Sequence, residues 1–214
     1  MFKFLSISAL LLITTVAGYA AEVSVSPGEG LKRMLAGNER YTKDKLEHPN
    51  RDLTRRESLV SKQTPFAVVI GCSDSRVTPE IVFDQGVGDL FVVRVAGNVM
   101  DPVELASVMY AIDYLHASLV FVLGHEGCGA VKAVLAHQTE DIQPIAKRVE
   151  ASIAEFAKTK SPSLEEAVKA NVKGVIAELK KDESLVKMLS EKKLGIVGGY
   201  YNLGSGKVEL CCEL

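Results

Sequence analysis

Four apolar runs constrain what this chain can fold into more than anything else in it. They are Phe66–Ile70 closed by Gly71, Leu90–Val95, Leu119–Leu123 and Leu194–Tyr201, and Arg94 is the one charged residue among them. None alternates polar with apolar, as a strand with one wet face would, and all are short and rich in β-branched or aromatic residues. That pattern predicts strands buried on both faces. Helical patterns lie between them, and a strand–helix alternation predicts an α/β fold. The expected architecture is a mostly parallel central sheet of four strands. An antiparallel edge strand, Lys207–Cys212, follows the turn Asn202–Gly206, helices cover both faces, and a helical arm leads at the N-terminus.

The helical segments follow from local signals. Ser26–Gly30 reads as a turn entering an amphipathic arm, Leu31–Tyr41, where Leu31, Met34, Leu35 and Tyr41 recur at helical spacing. Residues 42–62 are charge-rich, with a short helix expected around Arg55–Glu57, and Pro79–Phe83 reads as one helical turn. Asp101 before Pro102 is a cap followed by proline at the first helical position, opening a helix that runs to Leu115. Ala130–His137, 141–158 and 164–190 complete the set. A length of 214 residues with no repeat, low-complexity stretch or linker fits one domain, 22–214.

Residues 1–21 read as a cleavable signal peptide. Lys3 precedes an apolar segment, Phe4–Ala17, of about 14 residues, short of the about 20 that span a bilayer. Small residues at Gly18 and Ala20 suit cleavage near Ala20/Ala21. The mature protein is therefore expected in the periplasm or secreted, with no membrane association after cleavage. A net charge of -2 offers no basic stripe, so nucleic acid is not an expected partner.

Export makes the four cysteines informative, since thiols in an oxidising compartment usually pair. Cys72 and Cys128 instead sit where metal ligands belong. Cys72-Ser-Asp74-Ser-Arg76 follows the first strand, and His125-Glu-Gly-Cys128-Gly follows the third. In parallel sheets ligands bind beyond the carboxyl ends of strands. Two thiolates, an imidazole and a carboxylate make a tetrahedral zinc set, one Zn2+ per chain. If Asp74 binds, the site is closed; if it turns away, water takes the fourth position and the site is catalytic. Arg76 competes for that carboxylate with its fork-shaped guanidinium, either as a device that keeps the metal open or as a loop salt bridge. Zinc-bound water loses its proton near neutral pH and becomes a strong nucleophile. Cys211 and Cys212 are neighbours on the edge strand, where alternation points one in and one out. A ring between them is strained, so two free or externally paired thiols are expected.

These residues resemble the β-class carbonic anhydrases. The resemblance rests on CSDSRV (Cys72–Val77), GDLFVVRVAGN (Gly88–Asn98), GHEGCGA (Gly124–Ala130) and the terminal GGYYNLGSGKVEL. It implies reversible hydration of carbon dioxide to bicarbonate, zinc on Cys72, His125 and Cys128, and an Asp74–Arg76 dyad as catalytic gate. It further implies Gln63 facing substrate, Phe91 and Tyr110 walling an apolar pocket often completed across a dimer interface, and a homodimer or homotetramer joined through the N-terminal helices. Some members hold bicarbonate at a second site that uses a tryptophan; this chain has none, which favours an open zinc site. The same scaffold also supports carbonyl sulfide or carbon disulfide hydrolysis. Outside catalysis, the motifs suit a zinc- or bicarbonate-binding module, or a Cys72–Cys128 redox disulfide.

Overall fold

A computed structural model describes residues 25–157 and 162–213. The signal segment expected at 1–21 lies outside the described residues. Helices α1 (Pro27–Thr42) and α2 (Leu53–Ser58) precede strand β1 (Ala67–Gly71), and helix α3 (Pro79–Val82) leads to β2 (Leu90–Arg94). Helix α4 (Pro102–Asp113), strand β3 (Leu119–His125) and helix α5 (Gly129–Leu135) follow. Helices α6 (Gln143–Ala157), α7 (Leu164–Leu179) and α8 (Glu183–Ser190) lead to β4 (Gly195–Tyr201) and β5 (Val208–Glu213). The sheet order is β2-β1-β3-β4-β5, parallel except for the β4–β5 pair, as the apolar runs predict.

The two-residue period of a strand decides which helix each residue meets. Along β1, Val68 and Ile70 face a layer with Val108 and Ile112 of α4 and Val172 and Ile176 of α7. Ala67 and Val69 face the other way, toward Met34 of α1, Val82 of α3, Phe83 and Phe121. The expected arm is therefore folded onto its own chain: Met34 is wholly buried, and the Phe83 and Phe121 rings below it meet edge-on at 5.1 Å. Asn38 fastens α1, donating to the Val82 and Gly206 carbonyls at 3.1 and 2.9 Å and accepting from Val208 N–H at 2.9 Å. No helix among the described residues is long and apolar enough to cross a membrane.

Five local expectations change. Ser26–Gly30 is the first turn of α1, because the Ser26 hydroxyl accepts from Glu29 N–H at 3.3 Å and Pro27 takes the first helical position. β2 is half-buried along its length instead of fully buried, since it is a sheet edge with one neighbour. β3 runs two residues further than its apolar core, pairing Gly124 with Tyr200 and His125 with Tyr201, so His125 ends the strand. The helix expected over 164–190 is two helices. Asp182 takes the amides of Ser184 and Leu185 at 2.9 and 3.1 Å and starts a new one. The last change concerns Cys211 and Cys212. A bulge pairs Gly198 with Cys212 and Gly199 with Leu210, leaving Cys211 as the extra residue. The alternation breaks there, and the two sulfurs lie 3.7 Å apart instead of on opposite faces.

Candidate metal centre

β1 and β3 are adjacent and in register from Ala67↔Leu119 to Gly71↔Leu123, so the residues that follow meet at one rim. Cys72 comes directly after β1, His125 closes β3, and Cys128 caps α5. One ligand atom from each lies within 4.8 Å of the others, and all three residues are buried. The turn after β2 supports the group. Gly97 adopts φ +73°, a conformation that favours glycine, and donates its N–H to Cys72 Sγ at 3.2 Å. Asn171 of α7 holds that turn by donating to the Gly97 carbonyl at 2.7 Å.

The imidazole is oriented from one side only. His125 Nδ1 lies 2.8 Å from the Glu126 carbonyl, which assigns the proton to Nδ1 and leaves Nε2 with its lone pair. Nε2 is buried with no hydrogen-bond partner. A buried acceptor left this way carries its full desolvation cost unless something from outside fills it. Two sulfurs beside that lone pair form the donor set of a zinc ion. The sulfurs are prepared for it: a hydrogen bond from Cys128 holds the Cys72 thiol well below the usual range, against the cost of burial. The same bond, with burial, pushes Cys128 up.

Asp74 is committed elsewhere. Arg76 Nε donates to Oδ1 at 2.9 Å, Nη2 donates to Oδ2 at 2.7 Å, and the Arg76 N–H reaches Oδ1 at 3.0 Å. The guanidinium bonds come first among the effects that hold this carboxyl far below the ordinary carboxylate range. Oδ2 still lies 3.9 Å from His125 Nε2, at the edge of the cluster.

Three residues inside the motifs, Gly97, Arg94 and Glu126, assigned no role by the sequence, hold the site in place. Arg94, the lone charge in the second apolar run, donates to the Cys72, Asp74 and Val77 carbonyls at 2.9, 2.7 and 3.1 Å, strapping the whole Cys72–Val77 loop. That one charge closing an otherwise apolar strand was the available signal. Glu126 ties the other loop: its N–H donates to the Tyr201 carbonyl at 2.8 Å and its carboxylate accepts from Leu203 N–H at 2.8 Å.

The structure brings Cys72, Asp74, Arg76, His125 and Cys128 together, and leaves Gln63, Phe91 and Tyr110 apart from them. Phe91 pairs with Val68, four residues before Cys72, or about 13 Å along the strand direction. Its ring lies 6.2 Å from that of Tyr110, which is 46% exposed. Gln63 and Tyr110 line an open groove of about 780 Å³ with Leu59, Tyr114 and His116, and no residue of the metal cluster is on its walls.

Residues 67–208 match the family profile described as carbonic anhydrase. A carbonic anhydrase of Mycolicibacterium smegmatis is 40% identical over 196 residues, covering 88% of this chain and 95% of that relative. A β-carbonic anhydrase of Aspergillus fumigatus has a similar fold, with a TM-score of 0.67 at 28% identity, covering 86% of this chain and 92% of its own. One of two β-carbonic anhydrases of Sordaria macrospora, described as tetrameric, shares the fold at a TM-score of 0.64 and 24% identity, covering 86% and 98%.

Proposed function

This chain belongs to the β class of the carbonic anhydrase family, and we propose that it hydrates carbon dioxide reversibly on a zinc ion held by Cys72, His125 and Cys128. The observation that carries the metal assignment is the buried, unpartnered Nε2 of His125 beside two sulfurs. Zinc bound there would acidify a water molecule and so supply a nucleophile near neutral pH.

The chain's own groups then have distinct tasks. Gly97 N–H, aimed at Cys72 Sγ, favours the thiolate that a metal needs. Glu126 fixes the His125 tautomer through its carbonyl. Arg76 holds both Asp74 oxygens and so keeps the carboxylate from becoming a fourth ligand. Oδ2 accepts only one of these bonds and keeps a further lone pair, able to accept a hydrogen bond and orient a nucleophile toward carbon dioxide. Released from Arg76, the same carboxylate is near enough to close the site.

Gln63, Phe91 and Tyr110 fit the substrate pocket of a second copy, because within one chain they sit away from the metal cluster, Gln63 and Tyr110 on an open groove and Phe91 half-buried beside Tyr110. A homodimer or homotetramer follows from that reading. Residues 1–21 support export as a cleaved signal, which N-terminal sequencing of mature protein would check.

Stopped-flow hydration measured from about pH 6 to pH 9, with zinc analysis, tests the proposal. The expected result is one zinc per chain and a rate rising with pH. Preference for carbonyl sulfide, assayed alongside, or zinc without any hydration activity, would overturn it.

A further inference from the structure

The proposed reaction makes no use of Cys211 and Cys212, on the far side of β4 from the metal cluster's β3. Neighbouring residues of a regular strand point to opposite faces, so a chelating pair cannot form there. The bulge opposite Gly198 and Gly199 removes that obstacle and sets both sulfurs on the α7 side of the sheet, 3.7 Å apart. Gly198 makes the room. A Cβ there would stand 2.4 Å from Cys212 Sγ and 2.6 Å from Val172 Cγ1 of α7. Both thiols are free and only partly buried, within reach of a small solute. The hydrogen bond with Cys211 lowers the Cys212 thiol against the cost of burial, and Lys173 of α7 adds to that effect.

The spacing selects the chemistry. Two sulfurs each about 2.3 Å from one ion stand about 3.3 Å apart at a right angle and about 3.75 Å apart at the tetrahedral angle, and the pair here, at 3.7 Å, falls in that range. A disulfide usually joins Cα atoms about 4.4 Å or more apart, whereas adjacent Cα atoms are held at about 3.8 Å, so a ring between these neighbours would be strained. The pair is set to chelate, not to close on itself.

We propose that Cys211 and Cys212 form a second, independent thiolate site that captures a soft, thiophilic metal or metalloid ion as a two-sulfur chelate. With a trivalent arsenical the step balances without redox change. Both S–H bonds break, two As–S bonds form, and the arsenic-bound oxygen leaves as water with the two protons.

The test uses zinc-loaded enzyme and phenylarsine oxide. Intact mass should show one phenylarsenic(III) group per chain, with zinc retained, and peptide mapping should place it on the C-terminal segment. Cys211→Ser and Cys212→Ser should each abolish the adduct while changing the hydration rate by less than about twofold. An unreactive wild-type holoenzyme would overturn the proposal. So would an adduct that maps to Cys72 and Cys128 with loss of zinc, or one that survives either serine variant. Mapping on wild-type protein decides the matter even if a variant folds poorly. A failure of the carbon dioxide assay would leave this result standing, since the two sites share no residue.

Discussion

Two buried polar clusters lie on either side of the loop and helix that follow β1, and they are finished differently. At Asp84 both carboxylate oxygens are engaged. Arg40 Nε donates to Oδ2 at 2.6 Å, the Glu47 N–H to Oδ2 at 3.0 Å and the His48 N–H to Oδ1 at 3.1 Å, while Arg40 Nη2 takes the Asp84 carbonyl at 3.3 Å. The side chain is fully buried, and these bonds draw α1 and the loop behind it onto α3. At Cys72, His125 and Cys128 the surrounding backbone is just as firmly held, yet Nε2 has no hydrogen-bond partner. A satisfied buried cluster holds the fold together. One built with equal care around an open lone pair is arranged for something from outside, and it costs stability until that arrives.

The comparison is most exposed to substitution at its two centres. His125→Ala should lose zinc, by metal analysis, and bring hydration to background. Its zinc-free form should nevertheless unfold at about the temperature of zinc-free wild type, because the residue removed carried an unmet acceptor. Asp84→Ala should do the opposite. Stripping the buried carboxylate from Arg40 and two backbone amides should cost about 3 kcal/mol in urea unfolding, with zinc content and rate per folded molecule unchanged. If Asp84→Ala removed zinc, or His125→Ala unfolded the apoprotein, the division between the clusters would be wrong. Arg76→Ala sharpens the boundary between them. It should keep the metal and lower the rate roughly 10–100-fold, because the freed Asp74 can then approach the metal site. Full activity in that variant would remove the gate from the mechanism.

How much of this was legible differs between the clusters for a physical reason. Cys72, Asp74, Arg76, His125 and Cys128 fall in two short motifs, each tied to a strand end, so strand adjacency alone brings them together. Asp84 meets Arg40 across 44 positions and Glu47 across 37, and nothing in a local pattern signals such a closure. Arg94 was visible as a lone charge, but the three carbonyls it straps lie 17 to 22 residues away. The bulge at Cys211 was hidden for another reason: apolar alternation assumes the regular pairing that Gly198 and Gly199 break. Gln63, Phe91 and Tyr110 entered through a resemblance alone, and the single chain leaves Gln63 and Tyr110 on an open groove away from the metal cluster.

The smallest effect expected is also the most direct measure of what a filled cluster contributes. Burial works to raise the Asp84 carboxyl, but the Glu47 and His48 amides and the Arg40 guanidinium outweigh it and keep the group below its ordinary value. A carboxyl depressed in the folded state contributes stability that is complete above the unfolded value of about 3.9. That contribution is lost as pH falls toward the folded value, because the unfolded chain takes up the proton first. The slope from one such group is at most about 1.4 kcal/mol per pH unit. Other carboxyls titrate in the same range, so the readout is the difference between Asp84 and Asp84→Asn, measured by urea unfolding from about pH 3 to pH 7. Both chains should carry His125→Ala, which removes proton-linked metal binding from the comparison. The advantage of Asp84 should be constant down to about pH 5 and shrink below about pH 4. Parallel curves throughout would mean that the cluster holds its helices by shape and packing, with the charge contributing nothing.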